Sequence, residues 1–462
     1  MKNYIELIEQ TFDFPTRDFK VENNELLFND VRLTEIIQQY GTPLKITYLP
    51  KISEHIQYSK KLFNQAIEKH NYKGSYTYCY CTKSSHFRFV IEEALKNDIH
   101  IETSSAFDIA IVKSLYENKK INKKTFIISN GFKRPAYTKG LCELIENGFN
   151  SVPILDNLDE IKAYKDVPVD NINLGIRVAS DEEPNFEFYT SRLGVRYSDV
   201  DKLYQDAIAP NPKFTLKMLH FFINTGVKDS AYYWSELSRF MYKYCELKKV
   251  CPDLDSIDIG GGFPIRTSLQ FDFDYEYMSN QIIEYILWIC RKSHVEEPNI
   301  FTEFGSYTVG ESGATIYSVI DQKLQNDKEL WYMIDGSFIT HLPDVWGMNQ
   351  KYIMLAINNW DSPHHKVNLG GLTCDSMDYY NSEMHSSEVF LPIIEKGEKQ
   401  YIGFFHTGAY QESLGGYGGI QHCLIPAPPH VIIDRDEKGN VTSRLFAEAQ
   451  TSEGMLKILG YI

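Results

Sequence analysis

The sequence has no uninterrupted apolar stretch approaching the roughly 20 residues that a membrane-spanning helix requires, which excludes an α-helical membrane protein. It also lacks C-x-x-C spacing. Its eight cysteines, Cys79, Cys81, Cys142, Cys245, Cys251, Cys290, Cys374 and Cys423, are scattered, which argues against structural zinc and against a disulfide framework. Most read as core thiols; only Cys374 has a suspicious neighbourhood. Basic charge is in deficit: the formal net charge of -15 argues against a nucleic-acid surface and is compatible with a cationic substrate. Neither a phosphate loop ending in G-K-[ST] nor a G-x-G-x-x-G fingerprint occurs, and there is no internal repeat or low-complexity segment. The opening "MKNYIELIEQTFDFP" carries acids where a secretory leader would have a basic start and an apolar run. It reads as an amphipathic helix, and the expected compartment is the cytoplasm.

What is present suits a large soluble chain: 462 residues, 43% hydrophobic and 24% charged, enough for one large barrel and a satellite domain. Between residues 75 and 303, apolar or β-branched runs alternate with helical periodicity: "SYTYCYC", "IHIET", "TFIIS", "VPIL", "NLGIRVA", "LKMLHFF", "SIDIG" and "NIFTE". Eight strands separated by helices predict a parallel (β/α)8 barrel. After the first run, "SSHFRFVIEEALKND" has serines suited to capping, with Phe87, Val90, Ile91, Ala94 and Leu95 at helical spacing. Beyond residue 315 strands and turns dominate. The expected division is a barrel over 45–315 and a β-rich domain over 1–44 and 316–462, with "LLFNDVRL" supplying a strand.

Chemistry in such a barrel sits at the carboxyl ends of the strands. The polar residues there are Lys83, Glu102, Asn130, Asp156, Arg177, Thr225, Gly260 to Gly262, and Glu303. Any one of them alone reads as a solvated loop residue; their convergence on one rim reads as an active site. In "DIGGGFP" three glycines directly follow a short strand, where absent side chains would let backbone N–H groups approach a phosphate. A lysine in the same mouth suggests pyridoxal phosphate held as a Schiff base, with desolvation lowering the lysine pKa. Strand alternation places Cys79, Cys81 and Lys83 on one face, so the small thiols would leave room for the lysine to rise into the mouth.

These residues resemble the fold-type III pyridoxal phosphate decarboxylases, the alanine-racemase-like barrel group, and within it the biosynthetic arginine decarboxylases. The resemblance runs from "YGTPLKITYL" through "YCTKSS", "IETSSAFDI", "NLGIRVAS", "SRLGVR", "DIGGGFP", "TEFGS", "LPDVWGMNQ" and "GGLTCDSMDYY" to "HTGAYQ". It implies a C-terminal β-rich domain beside the barrel and pyridoxal 5'-phosphate bound to Lys83, with Glu303 on the pyridine nitrogen. Gly260, Gly261, Gly262, Thr225 and Tyr410 would hold the phosphate. Glu102 and Arg177 would form a charge pair near the cofactor, with Asp108 behind. Cys374 would return a proton to the α-carbon and Asp375 would bind the distal cation of the substrate. Cys374, Asp375 and Tyr410 would come from the neighbouring subunit of a homodimer.

Two positions depart from the family pattern. Phe222 of "LHFFINTG" stands where a histidine usually stacks on the pyridine, with His220 two residues earlier and roughly 7 Å along the strand. Ser306 of "TEFGSY" stands where an arginine usually meets the phosphate. The implied reaction is decarboxylation of L-arginine to agmatine and CO2, a step toward polyamines. Asp375, Asp378 and Asp344, with no basic residue near them, suit a guanidinium, although turn composition explains Asp378 and Asp344 equally well. Alternatives are diaminopimelate, ornithine, lysine or carboxynorspermidine as substrate, or a non-catalytic regulatory homologue. Racemization would leave "TCDSMD" unexplained.

Overall fold

The computed structural model describes residues 2–8, 17–180, 191–395 and 397–462. The chain divides into two compact units, Ser53–Pro264 with Phe273–Thr308, and Met1–Ile52 with Ile265–Asp272 and Val309–Ile462.

The first unit is the expected barrel. Its strands are β1 (Tyr76–Cys81), β2 (His100–Thr103), β3 (Ile127–Ser129), β4 (Ser151–Leu155), β5 (Ile172–Arg177), β6 (Phe214–His220), β7 (Ser256–Asp258) and β8 (Asn299–Phe304). Each pairs in parallel with its sequence neighbours, and β8 closes on β1. Such strands are buried on both faces, which is why they read as short apolar runs. Cys79, Ile128, Val152, Ile154, Met218 and Phe301, from five different strands, form one buried cluster. Because β1 side chains alternate, Tyr78 and Tyr80 point the other way and end on Thr308 and on the Ser85 carbonyl.

One local expectation fails. The serines after β1 do not cap the next helix, Arg88–Leu95, whose N-cap is Phe87 with no side-chain bond. The chain first makes a 3-10 turn over Thr82–Ser84. Ser84 Oγ donates back to the Cys81 carbonyl at 2.8 Å, the local bond by which serine competes with helix. Lys83 thus stands on this turn, one step beyond the regular strand.

The second unit is β-rich. A sheet runs in the order Tyr379–Tyr380, His364–Gly370, Glu329–Ile334, Gly313–Gln325, Leu44–Tyr48, His430–Arg435, Val441–Ala447, with Ile353–Ala356, Val389–Pro392 and Tyr401–Phe405 joined to it. "LLFNDVRL" supplies two strands, Glu25–Phe28 and Val31–Arg32, in a separate three-stranded sheet. Asn29 and Asp30 between them have φ of 51° and 60°, the left-handed pair that a tight hairpin requires. At the amino terminus a helix covers Tyr4–Ile8, and the rest of that expected helix lies outside the described residues. Among the described residues no helix is long and apolar enough to cross a membrane.

The interior cluster makes a checkable claim about stability. Phe301 is buried against Cys79, Val152 and Met218. Phe301→Ala is expected to cost about 3–5 kcal/mol through lost burial and a residual cavity, measured by urea unfolding. A loss under about 1 kcal/mol would show that this cluster is not a packed core.

Candidate active site

Glu303 is the penultimate residue of β8 at 5% exposure, and Glu102 lies on β2 at 0%. Two buried carboxylates on the strands that flank β1 need partners, and the barrel supplies them. Lys83 Nζ donates to Glu102 Oε2 at 2.9 Å. Asn130, after β3, donates through Nδ2 to both acids, 3.2 Å to Glu102 Oε1 and 2.6 Å to Glu303 Oε1. His220 Nε2, at the end of β6, donates to Glu303 Oε2 at 3.1 Å. Residues of three strands, β2, β6 and β8, and two that follow strand ends, Lys83 and Asn130, therefore meet in a single network.

The electrostatics follow from that geometry. Burial works to raise the Glu303 pKa, but His220, Lys83 and Asp258 outweigh it and bring it down to about 2. Asp258 goes the other way: burial and the charge on Glu303 push it well above the carboxylate range, so it keeps its proton. Lys83 departs from expectation. Burial works to lower its pKa, but the Cys81 sulfur and the Glu102 and Glu303 carboxylates raise it well above the ordinary value. A charged lysine held by an acid replaces the expected desolvated amine.

The glycine triplet also differs in its reason. Gly260 and Gly262 have φ of 69° and 109°. A Cβ on Gly260, Gly261 or Gly262 would lie 2.8 Å from the Phe221 carbonyl oxygen, 2.3 Å from that of Glu303, or 2.7 Å from the Gly226 Cα. Close backbone packing against the β6 and β8 ends demands these glycines, and the Gly260 N–H already donates to Asp258 Oδ1 at 2.8 Å. The loop from Ile223 to Val227 abuts the triplet, Val227 N donating to the Gly262 carbonyl. On it Thr225 Oγ1 and both polar atoms of Asn224 are buried without a partner.

The remaining barrel residues are placed as follows. The expected Glu102–Arg177 charge pair does not form: Glu102 is taken by Lys83 and Asn130, and the Arg177 guanidinium lies 5.8 Å from the centroid of the Phe222 ring. Phe222 is 40% exposed at the rim. Asp108 closes a capping box with Ser105 on the helix Ala106–Glu117 and meets His86 Nε2 at 3.0 Å. Asp156 Oδ1 accepts from Gly194 N at 2.9 Å.

Cys374, Asp375, Asp344 and Tyr410 belong to the β-rich unit. Asp378 accepts from Phe338 N, Ile339 N, Thr373 N and Thr373 Oγ1. It is a loop organiser, which corrects its reading as a substrate acid. Asp344 is buried and its Oδ2 accepts from Gln411 Nε2 at 2.7 Å. Asp375 Oδ1 accepts from Met377 N, and Tyr410 takes a left-handed φ of 67° ahead of Gln411–Gly415. Cys374 is exposed. So is Cys423, expected as a core thiol, and the two sulfurs are 3.4 Å apart.

The sequence profile described as "Pyridoxal-dependent decarboxylase, pyridoxal binding domain" matches residues 54–310. The chain belongs to the pyridoxal-dependent decarboxylases. Among curated relatives, this decarboxylase is 22% identical over 570 residues to the biosynthetic arginine decarboxylase of Prochlorococcus marinus strain MIT 9215, covering 96% of this chain and 86% of that one. It is 22% identical over 534 residues to arginine decarboxylase 1, chloroplastic, of Arabidopsis thaliana, covering 88% and 75%. Its fold matches the biosynthetic arginine decarboxylase of Campylobacter jejuni with a TM-score of 0.83 at 19% identity, covering 100% and 91%. It also matches the diaminopimelate decarboxylase of M. jannaschii in complex with L-lysine, with a TM-score of 0.78 at 16% identity, covering 95% and 96%.

The decarboxylase's cofactor is pyridoxal phosphate, and the barrel mouth fits it. The unpartnered Thr225 hydroxyl and Asn224 amide beside the glycine loop are donors suited to phosphate oxygens. The ionised, buried Glu303 suits a protonated ring nitrogen. Sequence reasoning undervalued His220, which it weighed only as a stacking group. Its in-facing position on β6, opposite an in-facing acid on β8, was the available signal.

The Lys83–Glu102 pair can be tested without cofactor. Removing the carboxylate in Glu102→Gln takes away a group that raises the Lys83 pKa. Acylation of Lys83, followed by peptide mass spectrometry across a pH series, should reach half-maximum at lower pH in the variant. An unchanged or higher midpoint would refute the pairing.

Proposed function

We propose that this protein decarboxylates L-arginine to agmatine and CO2, with Lys83 as the attachment point of pyridoxal phosphate. The observation that carries the reading is the network in which Lys83, Glu102, Asn130, Glu303 and His220 share one barrel mouth. When bound, the cofactor supplies an electron sink for the carbanion left by departing CO2. Lys83 must lose its proton before it can act as an amine, and Glu102 at 2.9 Å is placed to take it. Glu303, held ionised by His220, Lys83 and Asp258, would keep a proton on the ring nitrogen by charge attraction. Thr225 and Asn224 would donate to the phosphate, and Gly261, where a Cβ would lie 2.3 Å from the Glu303 carbonyl oxygen, lets the glycine loop pack against the end of β8.

In this reading the β-rich unit completes the site across a homodimer. Cys374 returns a proton to the α-carbon, Asp375 meets the distal cation and Tyr410 adds a phosphate contact. Arginine is favoured because the curated relatives reported above carry the name arginine decarboxylase. The loop around Cys374 and Asp375 is also acidic, and a second carboxylate such as that of diaminopimelate would be repelled by it. The likeness to diaminopimelate decarboxylases keeps that compound as the competing substrate.

Three measurements test the proposal. The purified protein supplied with carboxyl-labelled amino acids should release CO2 from arginine; release from diaminopimelate or ornithine but not arginine would overturn the substrate. Lys83→Ala should lose the visible absorbance of the protein-linked cofactor. Cys374→Ala should retain that absorbance and turn over more slowly by about 10²–10⁴-fold, the usual contribution of a positioned proton donor. Full activity in Cys374→Ala would remove that residue from the reaction.

A further inference from the structure

Among the described residues, three groups of histidines, cysteines or carboxylates bring their ligand atoms within 4.8 Å of one another. One, His220 with Asp258 and Glu303, belongs to the site above. A second, Asp18 with Glu311 and His406, is already matched by cations: Asp18 accepts from Lys51 Nζ at 2.6 Å and from Arg266 at 3.3 Å. The third is Cys374 with His422 and Cys423, all exposed, and nothing in the reaction described so far uses two of them.

The two sulfurs are 3.4 Å apart, and His422 Nδ1 is 3.0 Å from Cys423 Sγ. Ligands on a tetrahedral zinc with Zn–S of about 2.3 Å stand about 3.8 Å apart, so a few tenths of an ångström of outward movement would seat a cation. The chain goes out of its way to build this cluster. Cys423 and Leu424 both take left-handed φ of 54°, a conformation that residues with a Cβ seldom adopt. The separation of 49 in sequence between the two cysteines explains why no ligand spacing is visible in the sequence.

We infer that Cys374, His422 and Cys423 form a three-ligand site for a thiophilic divalent cation, zinc above all, with its fourth position open to water. Two thiolates and a neutral imidazole suit zinc. On binding, each thiol gives its proton to solvent and each sulfur donates a lone pair to the metal, so affinity rises with pH. No oxidation is involved. An occupied site also ties up the Cys374 thiol. Zinc is therefore an inhibitor of turnover, a consequence that rests on the proton-donor reading of Cys374, whereas binding itself does not.

The test uses untagged holoenzyme in a non-thiol reductant, titrated with cobalt(II) and then with zinc. One cobalt per chain should bind with the ligand-field bands of tetrahedral thiolate coordination, read in the red where the cofactor does not absorb, and zinc should displace it. Cys423→Ser and His422→Ala should each weaken binding by roughly 100-fold, the upper end of what loss of an outer-shell partner alone costs. Cys423→Ser should keep basal turnover and resist zinc. Absence of these bands, bands unchanged in both variants, or disappearance of both thiols into a disulfide would overturn the site. Bands that form and respond to the variants while zinc leaves turnover untouched would uphold the site and remove Cys374 from the proton transfer.

Discussion

The barrel mouth is organised by the need to keep one buried carboxylate charged. Glu303 is almost fully excluded from water, and an isolated charge there would cost several kcal/mol. Its two oxygens are met from two directions, by Asn130 Nδ2 on one and His220 Nε2 on the other. Asn130 then reaches Glu102 with the same nitrogen, so the two hydrogens of one amide bridge two acids. Asp258, the third acid nearby, has its pKa raised well above the carboxylate range by burial and then by the charge on Glu303. Lys83 restores balance at the rim.

The glycine loop illustrates how packing and chemistry coincide. A Cβ at Gly261 would strike the Glu303 carbonyl, so the absence of a side chain there sets the position of β8's end as directly as any bond. The same loop abuts the Thr225 segment, and there the structure leaves polar atoms without partners. Buried donors and acceptors are rarely left orphaned in native proteins, and their concentration beside the glycines marks where an oxygen-rich ligand belongs. Phe222 keeps an aromatic face but has no ring nitrogen, and its face is approached by Arg177.

The fold was largely legible because parallel barrel strands are short apolar runs followed by helices, a pattern that eight repetitions make hard to mistake. Lys83 and the two acids were legible as polar residues at strand ends. What was not legible depends on distances through space. His220 and Glu303 are 83 positions apart, and two of the groups that raise the Lys83 pKa are acids on β2 and β8 that no local window contains. The serines after β1 misled because their hydroxyls serve a capped helix or a tight turn equally well, and only the Cys81 carbonyl, free at the strand end, decided it. Cys423 looked apolar in "HCLIP", yet its backbone carries it to the surface.

The β-rich unit shows how a loop displays reactive groups while hiding its own support. Asp378 receives two N–H groups from the Phe338 helix on one oxygen and two donors from Thr373 on the other. All four lone-pair positions are therefore occupied, and the acid cannot also bind an incoming cation. A Cβ on Gly371 would lie 2.3 Å from that carboxylate, so this glycine keeps the loop wrapped tightly around it. Asp344 is likewise engaged by Gln411. Of the three acids that make this region look cation-binding in sequence, the one left partly exposed is Asp375, next to Cys374. The carboxylates that seemed to form a single binding cluster thus divide into support and display, and the loop's acidity is as much a folding requirement as a signal of substrate.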